Sequence, residues 1–213
     1  MSEIQALIFD MDGVILDSNP LHVEAWAAYN RRFGIGMDEA MQQRMFGKRN
    51  DELVRDFFGA GLSDAEVFAH GAAKEALYRE MTGSRLEEYL VPGVRAFLEF
   101  HNELPKGLGT NAEPPNVNFV LDGANLRQYF RAIVDGHQVA KAKPDPGIYL
   151  KVAELLGIAP KNCVVFEDSI TGAQAGVAAG MRVVGVSTTY RELPGVEFML
   201  PDFSDPHILF RMC

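Results

Sequence analysis

The sequence predicts an α/β protein: a doubly wound parallel sheet forming a Rossmann-like core, with an all-helical cap domain inserted after the first strand. Three observations point there. Short apolar runs recur that are too continuous for a one-sided sheet, and from about residue 90 onward they alternate with helical stretches. Residues 19–85 interrupt this rhythm with helical periodicity and no strand between.

The first apolar run, residues 4–9, ends in Asp10. A second, Cys163-Val164-Val165-Phe166-Glu167-Asp168, and a third, Arg182-Val183-Val184-Gly185-Val186, have the same character, while Gly107–Thr110 and Ala132–Asp135 are weaker. Helices are expected over about 93–103, 115–126, 146–157 and 170–179, each closed by a glycine, a proline or a polar break. In the insert, Leu21 to Tyr29 and Ala65 to Tyr78 carry helical spacing, and Met41, Met45 and Phe46 suit its core. Asp12-Gly13 and Ser18-Asn19-Pro20 mark the exit from the sheet and Pro92-Gly93 the return. The expected division is a core of 1–17 with 88–213 and a cap of 18–87.

Composition narrows the function. The chain has 213 residues, 47% apolar and 23% charged, as ordinary globular proteins do. Its net charge of −9 repels a phosphate backbone, so nucleic acid is not an expected partner. No run approaches the roughly 20 apolar residues of a membrane span, and the first residues lack the basic region of a signal peptide. The expected location is cytoplasmic, and the expected state a monomer or weak homodimer. Cys163 and Cys213 lack the spacing of a metal site and read as reduced thiols.

The chemistry gathers at strand ends or in the loops just after them: Asp10 and Asp12, Thr110, Lys143, and Glu167-Asp168. In an open α/β sheet the ligand crevice lies beyond the carboxyl ends of the strands, so these distant segments are expected to converge. Three or four carboxylates in a small volume repel one another unless a cation intervenes. Mg²⁺ suits them, being a hard ion that takes one or two carboxylates together with substrate phosphate. A carboxylate so placed is a nucleophile towards phosphorus, and a second serves as general acid and base. Lys143 would hold phosphoryl oxygens, and Thr110 with the amides that follow it, at Asn111 and Ala112, would donate to them.

These motifs, Asp10-x-Asp12-Gly13-Val14-x-x-Asp17-Ser18, Thr110-Asn111, Lys143-Pro144-x-Pro146 and Glu167-Asp168-Ser169-x-x-Gly172, in order, resemble the four motifs of the haloacid dehalogenase superfamily. The chain is similar in particular to the β-phosphoglucomutase-like branch, whose small helical cap follows the first motif. The resemblance implies Asp10 as phosphorylated nucleophile and Asp12 as acid and base. It implies Mg²⁺ held by Asp10, the Asp12 carbonyl and Asp168, with Glu167 at or near the metal. It also places His22 and Trp26 in the cap facing the site, where substrate contact or gating competes with plain packing.

Other residues carry two readings. Lys48 and Arg49 after Gly47 suit a sugar-phosphate handle or a plain basic turn. Lys141 rivals Lys143, Thr110 can simply end a strand, and Asp168-Ser169 can also cap the following helix. Where the mutase of this branch grips a second phosphate with a cap arginine, alignment on Gly47 puts Asn50. Where it uses a lysine and an asparagine, this chain has Glu113 and Pro114. Glu113 would repel a distal phosphate and Pro114 offers no donor. The expected activity is therefore hydrolysis of a phosphate monoester on a small metabolite such as a sugar phosphate. A β-phosphoglucomutase-type activity and a catalytically silent phosphate-binding or regulatory module are the alternatives. A dehalogenase would not carry Asp12, and a response-regulator receiver would be shorter and lack the insert.

Overall fold

A computed structural model describes residues 3–45 and 48–209. The chain divides into two compact units, Met1–Asp17 with Leu86–Cys213, and Ser18–Arg85.

The first unit is a doubly wound parallel sheet of six strands. In chain order it contains β1 (Ala6–Phe9), α5 (Val94–Phe100), β2 (Lys106–Gly109), α6 (Pro114–Gly123), β3 (Ala132–Val134), α7 (Gly147–Leu156), β4 (Cys163–Glu167), α8 (Ile170–Ala178), β5 (Arg182–Val186) and β6 (Met199–Leu200); α1 to α4 belong to the second unit. Strand order is β3-β2-β1-β4-β5-β6, with every pairing parallel. The first strand is therefore central, and the order reverses beside it: β1 pairs with β2 on one side and β4 on the other.

The continuous apolar runs follow from burial on both faces. Along β1, Leu7 and Phe9 enter one cluster with Phe97 of α5 and Val120 of α6, whereas Ala6 and Ile8 enter the other with Tyr149 of α7 and Ala173 of α8. Phe9 stacks on Phe166 of β4 at 4.9 Å, locking the two strands that end in acids. In β2, glycine lets α7 lie close to the sheet: a Cβ on Gly107 would stand 2.2 Å from Val152.

The structure differs from the sequence reading at the ends of elements. The first strand begins at Ala6 rather than residue 4, although Ile4 still packs on the core. β6 is two residues long, too short to show periodicity.

The second unit contains α1 (Asn19–Arg31), α2 (Glu39–Gln43), α3 (Asn50–Phe58) and α4 (Asp64–Thr82), two more helices than the two stretches marked out by spacing. Trp26, Tyr29, Met45, Leu53, Val54 and Val67 form its core. Met41 is only half-buried, and Phe46 lies outside the described residues. Ser63 starts α4 with a capping box: its side chain accepts from the Glu66 amide while Glu66 accepts from the Ser63 amide at 2.8 Å.

Candidate active site

Asp10 follows β1 directly, Thr110 follows β2, and Glu167 ends β4 with Asp168 after it, so the sheet register alone brings these residues to one edge. Asp10, Glu167 and Asp168 are all buried, and each offers a carboxylate oxygen within 4.8 Å of the others'. Lys143, between β3 and α7, reaches in from the side: its Nζ lies 2.9 Å from Asp10 Oδ1 and 2.7 Å from Glu167 Oε1. The rival Lys141 is exposed.

Glu167 is saturated. Its Oε1 accepts from Lys143 Nζ and from Tyr149 OH, both at 2.7 Å. Its Oε2 accepts from the amides of Asp168 and Ser169 and from Ser169 Oγ, each at 2.9 Å. Five donors occupy the lone pairs of one carboxylate, which suits a group that anchors a lysine. Gly172 belongs to the same cradle, since a Cβ there would fall 1.7 Å from Glu167 Oε1. Helix capping falls to Ser169, whose Oγ accepts from the Gly172 amide at 3.0 Å.

The charges divide unevenly. Burial pushes the Asp10 carboxyl up to about 7, with Lys143 opposing and Glu167 and Asp12 reinforcing the rise. Burial likewise raises Asp168 well above its ordinary value, helped by the like charges of Glu167 and Asp10. Burial also works against the Glu167 anion, but Lys143 outweighs it and holds this carboxyl below the usual range. Lys143 is held above its ordinary value because Asp10 and Glu167 overcome its desolvation. Buried carboxylates that outnumber their cation in this way suit a divalent metal between Asp10 and Asp168.

The remaining expected residues fall in several places. Asp12 is half-buried and bridges to Leu16 in the turn after β1. Thr110 is buried, and its Oγ1 accepts from the Ala112 amide at 3.1 Å, so that amide is committed to the turn rather than directed at a ligand. Asn111 Oδ1 accepts from the Lys143 amide at 3.4 Å, tying the loop after β2 to the lysine.

In the second unit, His22 Nδ1 accepts from Lys74 Nζ at 3.0 Å, and the imidazole stacks on Tyr78 at 3.9 Å. Trp26 is a core residue, with the Lys74 ammonium 5.0 Å over its ring. Lys48 pairs with Asp56 at 2.7 Å on the surface, and Asn50 Nδ2 donates to Glu75 Oε1 at 2.7 Å. Arg49 is half-buried at the start of α3, and Gly47 lies outside the described residues.

Sequence reasoning did not reach Tyr149, nor the pair after β5. Thr188 Oγ1 donates to the Gly13 carbonyl at 2.6 Å, and Thr189 Oγ1 donates to Asp168 Oδ2. Their adjacency just beyond a strand end was the available signal.

The fold and this cluster define a class: doubly wound α/β enzymes with an acid-and-lysine site at the carboxyl edge of the sheet, beside the point where strand order reverses. The chain belongs to the haloacid dehalogenase-like hydrolases, a family that matches residues 4–180. It is 33% identical over 180 residues to the fructose-1-phosphate phosphatase YqaB of Escherichia coli K12, covering 84% of this chain and 95% of the relative. It is also 33% identical over 190 residues to the β-phosphoglucomutase of Bacillus subtilis 168, covering 86% and 83%. A crystal structure of a HAD hydrolase of family IA, variant 3, from Entamoeba histolytica superposes with a TM-score of 0.84 at 26% identity, covering 94% of each chain. No helix among the described residues is long and apolar enough to cross a membrane. Cys163 is a buried free thiol, pushed up to about 11 by desolvation, and Cys213 lies outside the described residues.

Proposed function

We propose that the chain is a Mg²⁺-dependent phosphatase that hydrolyses a small phosphate monoester through a phosphoaspartate on Asp10. The observation that carries this is the buried Lys143 beside the carboxylates of both Asp10 and Glu167, at 2.9 and 2.7 Å.

In this reading the Asp10 carboxylate attacks phosphorus in line; an Asp10–phosphorus bond forms as the bond to the leaving oxygen breaks. Asp12 donates a proton to that leaving oxygen, releasing an alcohol. Asp12 then takes a proton from water as its oxygen attacks the phosphoaspartate, releasing phosphate and restoring Asp10. Lys143 holds phosphoryl oxygens, and Glu167 keeps its ammonium in place. Asp10 and Asp168, with the carbonyl of Asp12, would hold Mg²⁺, which supplies charge neutralisation between nucleophile and phosphate.

Hydrolysis rather than transfer is supported by Glu113 and Pro114, which occupy the N-cap and first turn of α6 just beyond Thr110. A carboxylate there disfavours a second phosphate, and proline supplies no amide. The phosphatase among the relatives points to a phosphorylated sugar as substrate class.

Hydrolysis of p-nitrophenyl phosphate with and without Mg²⁺, in wild type and Asp10→Asn, tests the reading, followed by a screen of phosphorylated metabolites. The expected result is metal-dependent turnover lost in Asp10→Asn. Conversion of β-glucose 1-phosphate to glucose 6-phosphate far above hydrolysis would establish a mutase instead. Absence of turnover with every ester tried, alongside measurable Mg²⁺ binding, would establish a binding module.

A further inference from the structure

We propose that Tyr149 is a positioning residue that holds the Lys143 ammonium against Asp10. This rests on the reading of Asp10 as the nucleophile. Tyr149 acts on the lysine in two ways. Its hydroxyl donates to Glu167 Oε1 at 2.7 Å, the same oxygen that receives Lys143 Nζ. Its ring face lies under the ammonium, with Nζ 4.7 Å from the centroid.

The geometry separates the two ends of the Glu167 carboxylate. Oε2 is fixed by three donors from the Asp168–Ser169 segment, so it sets where the group sits. Oε1 faces the lysine, and Tyr149 is its second donor. A lysine stem has four rotatable bonds, and an ammonium makes no fixed fork as a guanidinium does. Fixing it at Asp10 therefore needs restraint from its neighbours. The tyrosine supplies that restraint from a rigid base: it is wholly buried in α7, and the glycines of β2 let that helix approach the sheet. If the residue merely filled space, phenylalanine would serve as well, because its ring fills nearly the same volume. The hydroxyl is what distinguishes the two cases.

The test compares kcat and KM for p-nitrophenyl phosphate with Mg²⁺ in wild type, Tyr149→Phe and Tyr149→Leu. Each is measured well below its own melting temperature. Val152→Ala, one turn along the same helix, serves as a packing control. The expected result for Tyr149→Phe is a fall in kcat of about tenfold with KM within about twofold, as misplacement of a group that touches the reacting phosphoryl requires. Tyr149→Leu, which also loses the ring face, should fall further. Val152→Ala should lower the melting temperature and keep kcat within about twofold. A Tyr149→Phe kcat less than about threefold below wild type, or a loss carried by KM, would overturn the proposal. Asp10→Asn in the same assay keeps the two readings apart: turnover surviving in that variant overturns the nucleophile assignment, whatever Tyr149→Phe does.

Discussion

A Cβ placed on Gly13 would lie 1.9 Å from Asp168 Oδ2. Position 13 also has φ +77°, a conformation that L side chains rarely adopt. The turn after β1 and the acid after β4 are thus packed backbone to carboxylate, with no room between them for a methyl group.

Gly13→Ala should therefore displace Asp168 in addition to straining the turn by about 1–2 kcal/mol. We expect turnover of p-nitrophenyl phosphate to drop at least about 100-fold and the apparent Mg²⁺ affinity to weaken, with the protein still folded. Titrating activity with Mg²⁺ checks it. An unchanged metal requirement would mean that Asp168 has no part in binding the ion.

Stability of the metal-free protein should fall as pH rises. Asp10, raised to about 7, and Asp168, also raised, keep protons in the fold that the unfolded chain releases from about pH 4 upward. The folded state then binds more protons through that window, so raising pH favours unfolding. Glu167, held low, acts in the opposite sense only below its ordinary value of 4.5. The melting temperature in chelator should be higher near pH 5 than near pH 8, by several degrees. Asp10→Asn should flatten the slope. A flat or rising profile in wild type would contradict the assignment.

The capping box at the start of α4 predicts a cost of about 1 kcal/mol for Ser63→Ala, because the Glu66 amide loses its acceptor. Chemical denaturation followed by circular dichroism measures it. Ser63→Asp should retain most of the stability, since aspartate caps as well as serine.

Lys74 and Glu75 form an ion pair at 2.6 Å with side chains only 2% and 4% exposed. Removing one partner from such a pair costs about 3–5 kcal/mol. Lys74→Met should show a loss of that size, and Lys74→Met with Glu75→Gln a smaller one. Equal losses in the single and double variants would show that the Glu75 charge left without its lysine carries no penalty.

The residues of the candidate cluster were visible in the sequence by type and by neighbouring pattern. Asp10, Glu167 and Asp168 stand out because acids at or just after the ends of apolar strands are costly without a purpose, and Lys143 because it adjoins a proline motif in the loop between β3 and α7. The strands β1, β4 and β5 were legible for the same reason: burial on both faces leaves an unbroken apolar run. What spacing could not supply was the company Glu167 keeps. Two of its five donors are backbone amides, which every residue but proline carries alike, and a third is a tyrosine on a helix whose other buried positions look like ordinary core. The resemblance put Glu167 at or near the metal; the hydrogen bonds tie it to the lysine. The amide of Ala112, expected to face a ligand, is turned to Thr110 by a local hydroxyl bond that residue order does not reveal.

The central position of β1 has a consequence for synthesis on the ribosome. Asp10 is made ahead of Lys143, Glu167 and the β4 strand that flanks β1, all of which come more than 130 residues later. Until they arrive, Asp10 lacks the ammonium that pairs with it, and β1 lacks the strand that pairs with it on one side. Contacts of such long sequence separation form slowly, because loop closure precedes their reward. A chain cut off before Lys143 therefore holds Asp10 without the lysine, and the cluster is complete only once β4 and Asp168 after it have been made. Burial, which raises the Asp10 carboxyl, is thus the work of the assembled sheet rather than of the first strand alone.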